Sequence, residues 1–372
     1  MADASATPRS GHGGHSHGSL ELTARSSRVS QALALLIGGC AVLAAIGLVV
    51  LWPRGAAPDA PGVIPGTIFV EGTVQVVETI DCPAEFDRTL TCATAKVEVT
   101  NGPTRGDVAE LTLTRGLPGS PDLSRGDDIR MSYFAEGPEG FRYGFDDFQR
   151  STPLALLAIL FVVAVVALSR MQGVRALLGM GASAVVLLGL LLPALLRGGP
   201  PVPVALVAAV LVALSALYLA HGIHVGTHVA AAGAVLALVL TMALGSLFIA
   251  LCNFTGLTDE NAASLTVAAG DLDLRGLILA GLVIGALGVL DDVTVTQVSV
   301  VSEVRAANPR LRARELYRSG LSTGRDHVAS TVNTLTLAYA GASLPLLLLF
   351  AQGGRSIGGV LTSDIVAVEV VG

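Results

Sequence analysis

Long apolar runs that carry no charge constrain this chain more than any other feature of its sequence. They alternate with polar segments, and together they make the chain 52% hydrophobic and only 14% charged. Soluble domains usually contain about 25% charged residues. Because a run of about 18 or more apolar residues is typical of a membrane-crossing helix, the sequence predicts a polytopic α-helical membrane protein. The lipid bilayer is its first expected partner.

The apolar runs predict about seven membrane spans, which form an anchor at residues 32–52 and a helical domain at 151–351. Residues 1–31 are predicted to be a disordered cytoplasmic tail, whose histidines could also bind a metal weakly. The histidines of the tail are His12, His15 and His17. The predicted spans are Ala32–Trp52, Pro153–Ser169, Ala176–Leu196, Val202–Ala220, Val229–Cys252, Gly276–Val301 and His327–Ala351.

The first apolar run could also belong to a cleaved signal peptide. The polar segment before Ala32–Trp52 is longer than the charged region of such peptides, and the run itself exceeds their usual apolar region. An uncleaved anchor helix is therefore the favoured interpretation.

Residues 53–150 differ in composition from the rest of the chain, being acidic and interrupted by Gly and Pro. Apolar and polar residues alternate within them, which is typical of half-buried strands. The strand-like stretches are 73–76, 96–99, 108–114 and 129–134. Four or five short strands predict a small all-β barrel or sandwich inserted between the first and second spans.

Cysteine placement fits an extracytoplasmic location for this β domain. Cys82 and Cys92 both fall within it, separated by nine residues. Disulfides persist outside the cytoplasm, so we expect a bond between the two sulfur atoms, with two free thiols as the alternative. Cys40 and Cys252 lie in apolar runs and are expected to be buried small hydrophobic residues.

Arginine placement predicts the orientation of the spans, since cytoplasmic loops are enriched in positive charge. The expected arrangement is a multi-pass protein of the cell membrane with a cytoplasmic N-terminus and residues 53–150 outside. The expected cytoplasmic arginines are Arg9, Arg25, Arg28, Arg170, Arg175, Arg305, Arg310, Arg312, Arg314, Arg318 and Arg325. The outer loops then contain only Arg197, Arg275 and Arg355.

Several functional classes are disfavoured by what the sequence lacks. Its single lysine, Lys96, lies in a strand-like stretch, so the chain has no phosphate-binding loop and is not expected to be an ATPase. No strongly basic domain is present, which argues against nucleic-acid binding. The sequence contains no H-E-x-x-H or C-x-x-C motif, and the chain is not expected to be an enzyme.

The segment 276–305 has the features most typical of a functional site. Its apolar part before Asp291 and Asp292 is too short to cross a bilayer, so either the helix continues through the carboxylates or it breaks there. In one continuous helix, a single face combines small residues with hydroxyls and carboxylates. This face consists of Gly281, Gly285, Gly288, Asp292, Thr296, Ser299 and Glu303.

The glycines of this face would allow close helix packing, and the polar residues could line an ion or substrate pathway. The alternative is that both aspartates lie near the cytoplasmic interface as caps or ion-pair partners. The facing candidates are at the cytoplasmic end of the last predicted span: Arg325, Asp326 and Asn333.

Three histidines spaced three and four residues apart, His221, His224 and His228, are weak candidates for a metal site. Gly222 and Gly226 favour a turn there instead of one helix. Ordinary histidines at the membrane interface are the preferred interpretation, and no metal or other cofactor is expected.

The C-terminal half resembles the YibE/YibF-like family of multi-pass bacterial membrane proteins. The resemblance rests on the glycines, acids and polar residues of 285–303 and on the segments Asn308-Pro309, Ser319-Gly320, Gly324-Arg325-Asp326, Asn333-Thr334, Ala338-Tyr339 and Leu344-Pro345-Leu346. It implies a transporter-like protein of the inner membrane. Similar members continue past the region of Val366–Gly372 into a further helix, which implies an eighth span and a truncated segment at 352–372.

The leading functional hypothesis is a secondary transporter or permease for an unidentified small solute or ion. The alternative is a membrane scaffold or sensor whose β domain binds a partner, with the acids only holding helices together. The sequence names neither the substrate nor the oligomeric state, for which a homo-oligomer is one option.

Overall fold

The computed structural model of the protein describes residues 27–55, 66–82, 91–115, 119–138, 142–257, 272–352, 357–361 and 363–371. The polar tail before residue 27, with its three histidines, lies outside the described residues. The chain divides into two compact units. The β-rich unit is Asp59–Arg170, and the helical unit consists of Met1–Pro58 and Met171–Gly372.

The β-rich unit contains one antiparallel sheet of five strands in the order β3-β2-β1-β4-β5. The strands are β1 (Thr67–Asp81), β2 (Thr91–Val99), β3 (Val108–Arg115), β4 (Asp128–Phe134) and β5 (Tyr143–Phe148). The two edge strands, β3 and β5, also contact each other, so the sheet is curled. Of the two predicted architectures, the curled sheet corresponds to the small barrel.

One face of the curled sheet forms a core of its own. Alternate residues of the strands point into it, as the period-two pattern predicts. The buried residues are Val70, Val74, Ala95, Val97, Val99, Ala109, Leu111, Leu123, Ile129 and Met131. Gly72 lies where β1 pairs with both neighbours, and a Cβ there would be 2.8 Å from the Glu98 carbonyl oxygen. Only glycine, which has no Cβ, fits at this position between the two neighbouring strands.

A disulfide joins Cys82, which directly follows β1, to Cys92 in β2. Ile80 of β1 pairs with Cys92 in the antiparallel register, so the bond ties together the ends of two neighbouring strands. Outside this unit, Cys40 is half-buried and Cys252 is exposed, instead of both being buried as expected.

The helical unit is formed by long apolar helices. The elements from the N-terminus are α1 (Ser27–Val50), α2 (Ser151–Val186), a π-helical turn (Leu187–Leu191), α3 (Leu192–Leu196), α4 (Pro201–His221), α5 (Val225–Leu251), α6 (Leu274–Ala307), α7 (Ala313–Ala342), α8 (Leu344–Gln352), α9 (Ile357–Leu361) and α10 (Asp364–Val371). The part of α2 before Met171 belongs to the β-rich unit.

Helix α4 is central to the packing of the helical unit, because it contacts α1, α5 and α6. Its buried face consists largely of alanine: Ala205, Ala208, Ala209 and Ala213 are each no more than 1% exposed. Small side chains let helix backbones approach closely, which is how helices associate where the surrounding lipid is as apolar as they are.

Five described helices are long and apolar enough to cross a membrane, or six if one bent pair counts as a span. The predicted spans Pro153–Ser169 and Ala176–Leu196 lie in one helical stretch of 46 residues. At full extension it would measure about 69 Å, against about 30 Å for the hydrocarbon core. The stretch is interrupted at Arg170, whose φ of 51° is not helical. Two spans on either side of Arg170 remain a prediction, as does the count of seven.

The last predicted span, His327–Ala351, is not one straight helix. Helix α7 begins at Ala313, and the segment Leu344–Phe350 that follows it is inclined to it by 67°. The bend is at Ser343, two residues before Pro345, which cannot donate a helix hydrogen bond and is tolerated in the first turn of a helix.

Candidate functional site between α6 and α7

Helix α6 continues without a break through Asp291 and Asp292 to Ala307. Its N-terminus is capped by Asp273, whose Oδ1 accepts a hydrogen bond from the Gly276 N–H at 3.0 Å. The structure therefore has the first of the two predicted arrangements, one helix containing both carboxylates. The alternative, a helix that breaks at the two aspartates, is not what the chain forms here.

The two neighbouring aspartates lie on different sides of α6. Asp291 continues the row of Val283 and Leu287, which are buried against the α4–α5 side of the unit. Its Oδ1 atom is buried and has no hydrogen-bond partner among the described residues. Asp292 has a side chain that is 65% exposed and lies on the side of α7. Consecutive helix residues are about 100° apart, so the two carboxylates meet different surroundings.

His327 on α7 is the partner of Asp292. Its Nε2 atom lies 3.2 Å from Asp292 Oδ2, which is an ion-pair distance, and its side chain is 29% exposed. Nε2 itself is buried and makes no hydrogen bond with a described residue. When the imidazole is protonated, the two groups form an ion pair between the helices.

A close crossing of α6 and α7 surrounds this contact. A Cβ on Gly320 would lie 2.8 Å from Val301 Cγ2, and one on Gly324 would lie 2.6 Å from a terminal atom of the Gln297 amide. With its amide oriented to satisfy both groups, Gln297 donates to the Gly320 carbonyl at 3.1 Å and accepts from the Gly324 N–H at 3.3 Å. Two glycines and one amide thus hold the helices together about one helical turn away from the Asp292–His327 contact.

The polar residues predicted on the facing helix are on its exposed side. Arg325, Asp326 and Asn333 are all exposed, and none contacts α6 through a described hydrogen bond or ion pair. The row that faces α6 is Gly320, Gly324 and His327, displaced by one residue from the predicted one. The sequence does contain a signal for this row, because Gly320, Gly324 and His327 are spaced four and three residues apart and therefore share one helix face.

The remaining residues of the predicted α6 face differ in their surroundings. Thr296 and Ser299 are half-buried, whereas Glu303 is exposed near the end of the helix. No described atom lies within 4 Å of a Cβ built on Gly281, Gly285 or Gly288. Within the described part of the chain these glycines pack against nothing, and their role in helix packing remains a prediction.

The three spaced histidines are separated by a turn between α4 and α5, as the neighbouring glycines indicate. Helix α4 ends at His221, Gly222 has a φ of 81°, and α5 begins at Val225. His228 Nδ1 is 2.6 Å from the Tyr218 hydroxyl, and His224 Nδ1 is 3.2 Å from the Thr227 hydroxyl. The described residues contain no group of three His, Cys, Asp or Glu side chains that could hold a metal ion.

Comparison with known proteins identifies the family. No curated protein and no solved structure matches the chain. A model of the YibE/F-like family matches residues 157–372, which include α3 to α10 and both sides of the α6–α7 site. Most of the β-rich unit precedes the match. Because the match extends over more than half of the sequence, the chain belongs to the family of YibE/F-like proteins.

Proposed function

We propose that this membrane protein is a secondary transporter, or permease, that moves a small solute or ion past Asp291 and Asp292. The observation that supports this most is the unpartnered Oδ1 of Asp291, in a helix apolar enough to cross a membrane. An ionisable group at membrane depth costs free energy, so one without a partner is a default candidate for a transport site.

The neighbouring groups suit a proton or a small cation better than an anion. Asp291 and Asp292 supply two carboxylates, and the imidazole of His327 lies 3.2 Å from Asp292. Arg325, which could have supplied a positive charge, is exposed on α7. We therefore infer that the transported or coupling species is positively charged or is a proton.

Binding can be tested by melting the purified full-length protein in a maltoside detergent. A set of metal cations, organic cations and anions is added at several pH values. A ligand that binds only the folded state raises its stability, by about 2.7 kcal/mol at a hundredfold excess over its dissociation constant. The variants Asp291→Asn and Asp292→Asn are compared with Asp273→Asn, a change at the opposite end of α6 that preserves a capping residue.

A cation that stabilises the wild type and Asp273→Asn, but neither site variant, supports the proposal. Uptake of that cation into proteoliposomes then tests transport itself. If no ligand shifts the melting of any of the four proteins, and proteoliposomes accumulate none of the tested ions, the transporter proposal is wrong.

The second candidate function is a membrane scaffold or sensor. It is favoured by the β-rich unit, which has its own buried core and disulfide, and by the continuity of α6. In this case Asp292 and His327 serve only to join two helices. Ligand-independent loss of stability in Asp292→Asn, without any binding by the wild type, is the expected result.

We also propose that the protein lies in the cell membrane with its N-terminus in the cytoplasm and residues 53–150 outside. Two exposed positions, Ser124 in the β-rich unit and Ala306 near the end of α6, can be changed to cysteine one at a time. The background carries Cys40→Ala and Cys252→Ala. A membrane-impermeant maleimide added to intact cells should label position 124 and not position 306, and the reverse result would invert the topology.

A further inference from the structure

A cavity of about 180 Å³ lies where α1 ends and where α3 leads into α4. All of its walls belong to the helical unit. It is large enough for a compact group, since a cavity of about 150 Å³ can hold one benzene molecule. Its lining includes Val50, Trp52, Arg54, Ala194, Arg197 and Val204.

The described charged side chains that line the cavity are all positive. Among the described residues, the charged ones that line it are Arg54 and Arg197, and none of its described lining residues is acidic. Neither arginine forms an ion pair with a described residue. Two cationic groups on one small cavity without a counterion favour an anionic ligand.

Both guanidinium groups are positioned by hydrogen bonds to backbone carbonyls, and each has further N–H donors that are not used in these bonds. Arg197 donates from Nε to the Gly55 carbonyl at 2.9 Å and from Nη1 to the Pro193 carbonyl at 3.1 Å. Arg54 donates from Nη2 to the Val49 carbonyl at 3.0 Å. A guanidinium has five N–H donors, so most of them find no acceptor among the described residues. Capping of helix ends therefore accounts for only part of what these arginines can bind.

The cavity combines this charge with an apolar wall at the end of several spans. Val204 and Ala194 are buried, at 0% and 3% exposure, while Trp52 is 51% exposed. Helices α1 and α3 end here and α4 begins here, which places the cavity at a membrane–water boundary if these helices cross the bilayer. Tryptophan is enriched at such boundaries. Because Pro200 precedes α4 and the first residues of the helix include Pro201 and Pro203, few backbone N–H groups compete with the arginines.

We propose that this cavity binds the phosphate group of a membrane phospholipid. Arg54 and Arg197 would donate to the phosphate oxygens, as arginine commonly does. The apolar wall and Trp52 would contact the glycerol and the upper acyl chains. The same charge chemistry could take a free phosphate ion, and the experiment separates these two sources.

The test uses the full-length protein in a phosphate-free maltoside detergent after removal of bound lipid. Phosphatidylglycerol, diacylglycerol and inorganic phosphate are titrated separately, with melting temperature and native mass spectrometry as readouts. We expect phosphatidylglycerol to bind and stabilise the wild type and diacylglycerol to do neither. In Arg54→Gln/Arg197→Gln the lipid affinity should fall at least about tenfold, because charge-assisted hydrogen bonds are lost.

Arg275→Gln is the matched control, since it removes an exposed arginine at the start of α6 that does not line the cavity. It should bind phosphatidylglycerol like the wild type. Arg54→Gln alone loses only one backbone hydrogen bond and serves if the double variant does not fold. Equal binding of diacylglycerol, or unchanged lipid affinity in the Arg54 variant, would overturn the proposal. Binding of inorganic phosphate as strong as that of the lipid would overturn the lipid as the source.

Discussion

Asp292 on α6 and His327 on α7 hold their Oδ2 and Nε2 atoms 3.2 Å apart. The Gly320–Val301 and Gly324–Gln297 contacts lie beside this pair, so charge and close packing act on the same helix crossing. The neighbouring Asp291 does not take part, because it lies on the side of α6 that faces the other helices. Two neighbouring residues thus supply one carboxylate that contacts His327 and one whose buried Oδ1 has no hydrogen-bond partner among the described residues.

The contribution of the Asp292–His327 contact can be measured with a double-mutant cycle of Asp292→Asn and His327→Gln. We expect a coupling energy of about 0.6 kcal/mol and no more than about 1.7 kcal/mol, the range of polar contacts between membrane helices. Unfolding in a denaturing detergent provides the free energies. A control cycle of Asp292→Asn with Asn333→Ala, an exposed residue on α7, should give no coupling. Equal coupling in both cycles would contradict the contact.

Asp291→Asn should have the opposite effect on stability to Asp292→Asn. Removing an ionisable group that has no partner for its buried Oδ1 should raise the melting temperature, whereas loss of the Asp292 contact should lower it. Functional residues are often replaceable with a gain in stability. Melting of both variants in detergent is the measurement, and a drop of equal size in both would show that Asp291 has a structural role.

Gly320→Ala should separate α6 from α7. The new methyl group would lie 2.8 Å from Val301 Cγ2, and overpacking of this kind usually costs about 1–3 kcal/mol. Gly341→Ala lies on the same helix with no described atom within 4 Å of the new Cβ, so it should be neutral or slightly stabilising. Detergent unfolding of the two variants compares them directly. The packing described for α7 would be wrong if both changes had the same effect.

The disulfide can be counted by alkylation. The chain has four cysteines, so denatured protein should react with a maleimide twice before reduction and four times after it. Replacing Cys82 and Cys92 by serine should destabilise the β-rich unit by about 2–3 kcal/mol, since the bond closes a short loop. Mass spectrometry gives the number of labels. Four labels without reductant would show that the bond does not form.

Asp147 should contribute to the loss of stability as the pH falls. Its carboxylate accepts a hydrogen bond from Arg150 at 2.7 Å and one from the Phe148 N–H at 2.8 Å, and these contacts lower its pKa below the ordinary 3.8. A lowered pKa stabilises the folded state above the unfolded pKa, and this contribution is lost as the pH falls through the folded pKa. Asp147→Asn should therefore melt below the wild type near neutral pH, and the difference should shrink as the pH falls below about 4.

The control for this titration is Asp122→Asn, which affects a carboxylate that is 86% exposed and 3.3 Å from Arg115. An exposed ion pair contributes little, so this variant should follow the wild type at every pH. A difference that persists for Asp147→Asn at low pH would mean that the carboxylate acts through packing and not through its charge.

The β-rich unit could be predicted well because its strands alternate with a simple period of two. The stretches 73–76, 96–99, 108–114 and 129–134 all lie within strands β1 to β4. Strand β5 (Tyr143–Phe148) was not identified individually, since its aromatic residues are interrupted by two consecutive aspartates. The register shift between Arg130 and Met131, where β4 pairs with β5, is a tertiary feature that the local pattern does not show.

The membrane helices were harder to predict, because uniformly apolar sequence has no period from which to read ends or faces. The start of α7 at Ala313 lies well before the predicted span, since its first turns are amphipathic and charged. The sequence pattern predicts the facing row at Asp326, because an ionisable group among apolar residues is costly and usually has a functional or polar partner. Gly320, Gly324 and His327 lie there instead, because small residues let the helices approach, and polarity alone does not reveal that.

The unbroken course of α6 also determines how any ion near Asp291 must be coordinated. In a helix, carbonyl groups are occupied by the N–H groups one turn later, and the Asp291 carbonyl additionally accepts the Thr294 hydroxyl at 3.1 Å. Channels and transporters that strip an alkali ion of water replace it with free backbone oxygens. Because α6 offers no free backbone carbonyl at this point, an ion here would be coordinated by the aspartate side chains and by water. We therefore expect weak discrimination between sodium and potassium at this site, and a preference for species that carboxylates recognise by charge alone, the proton first among them.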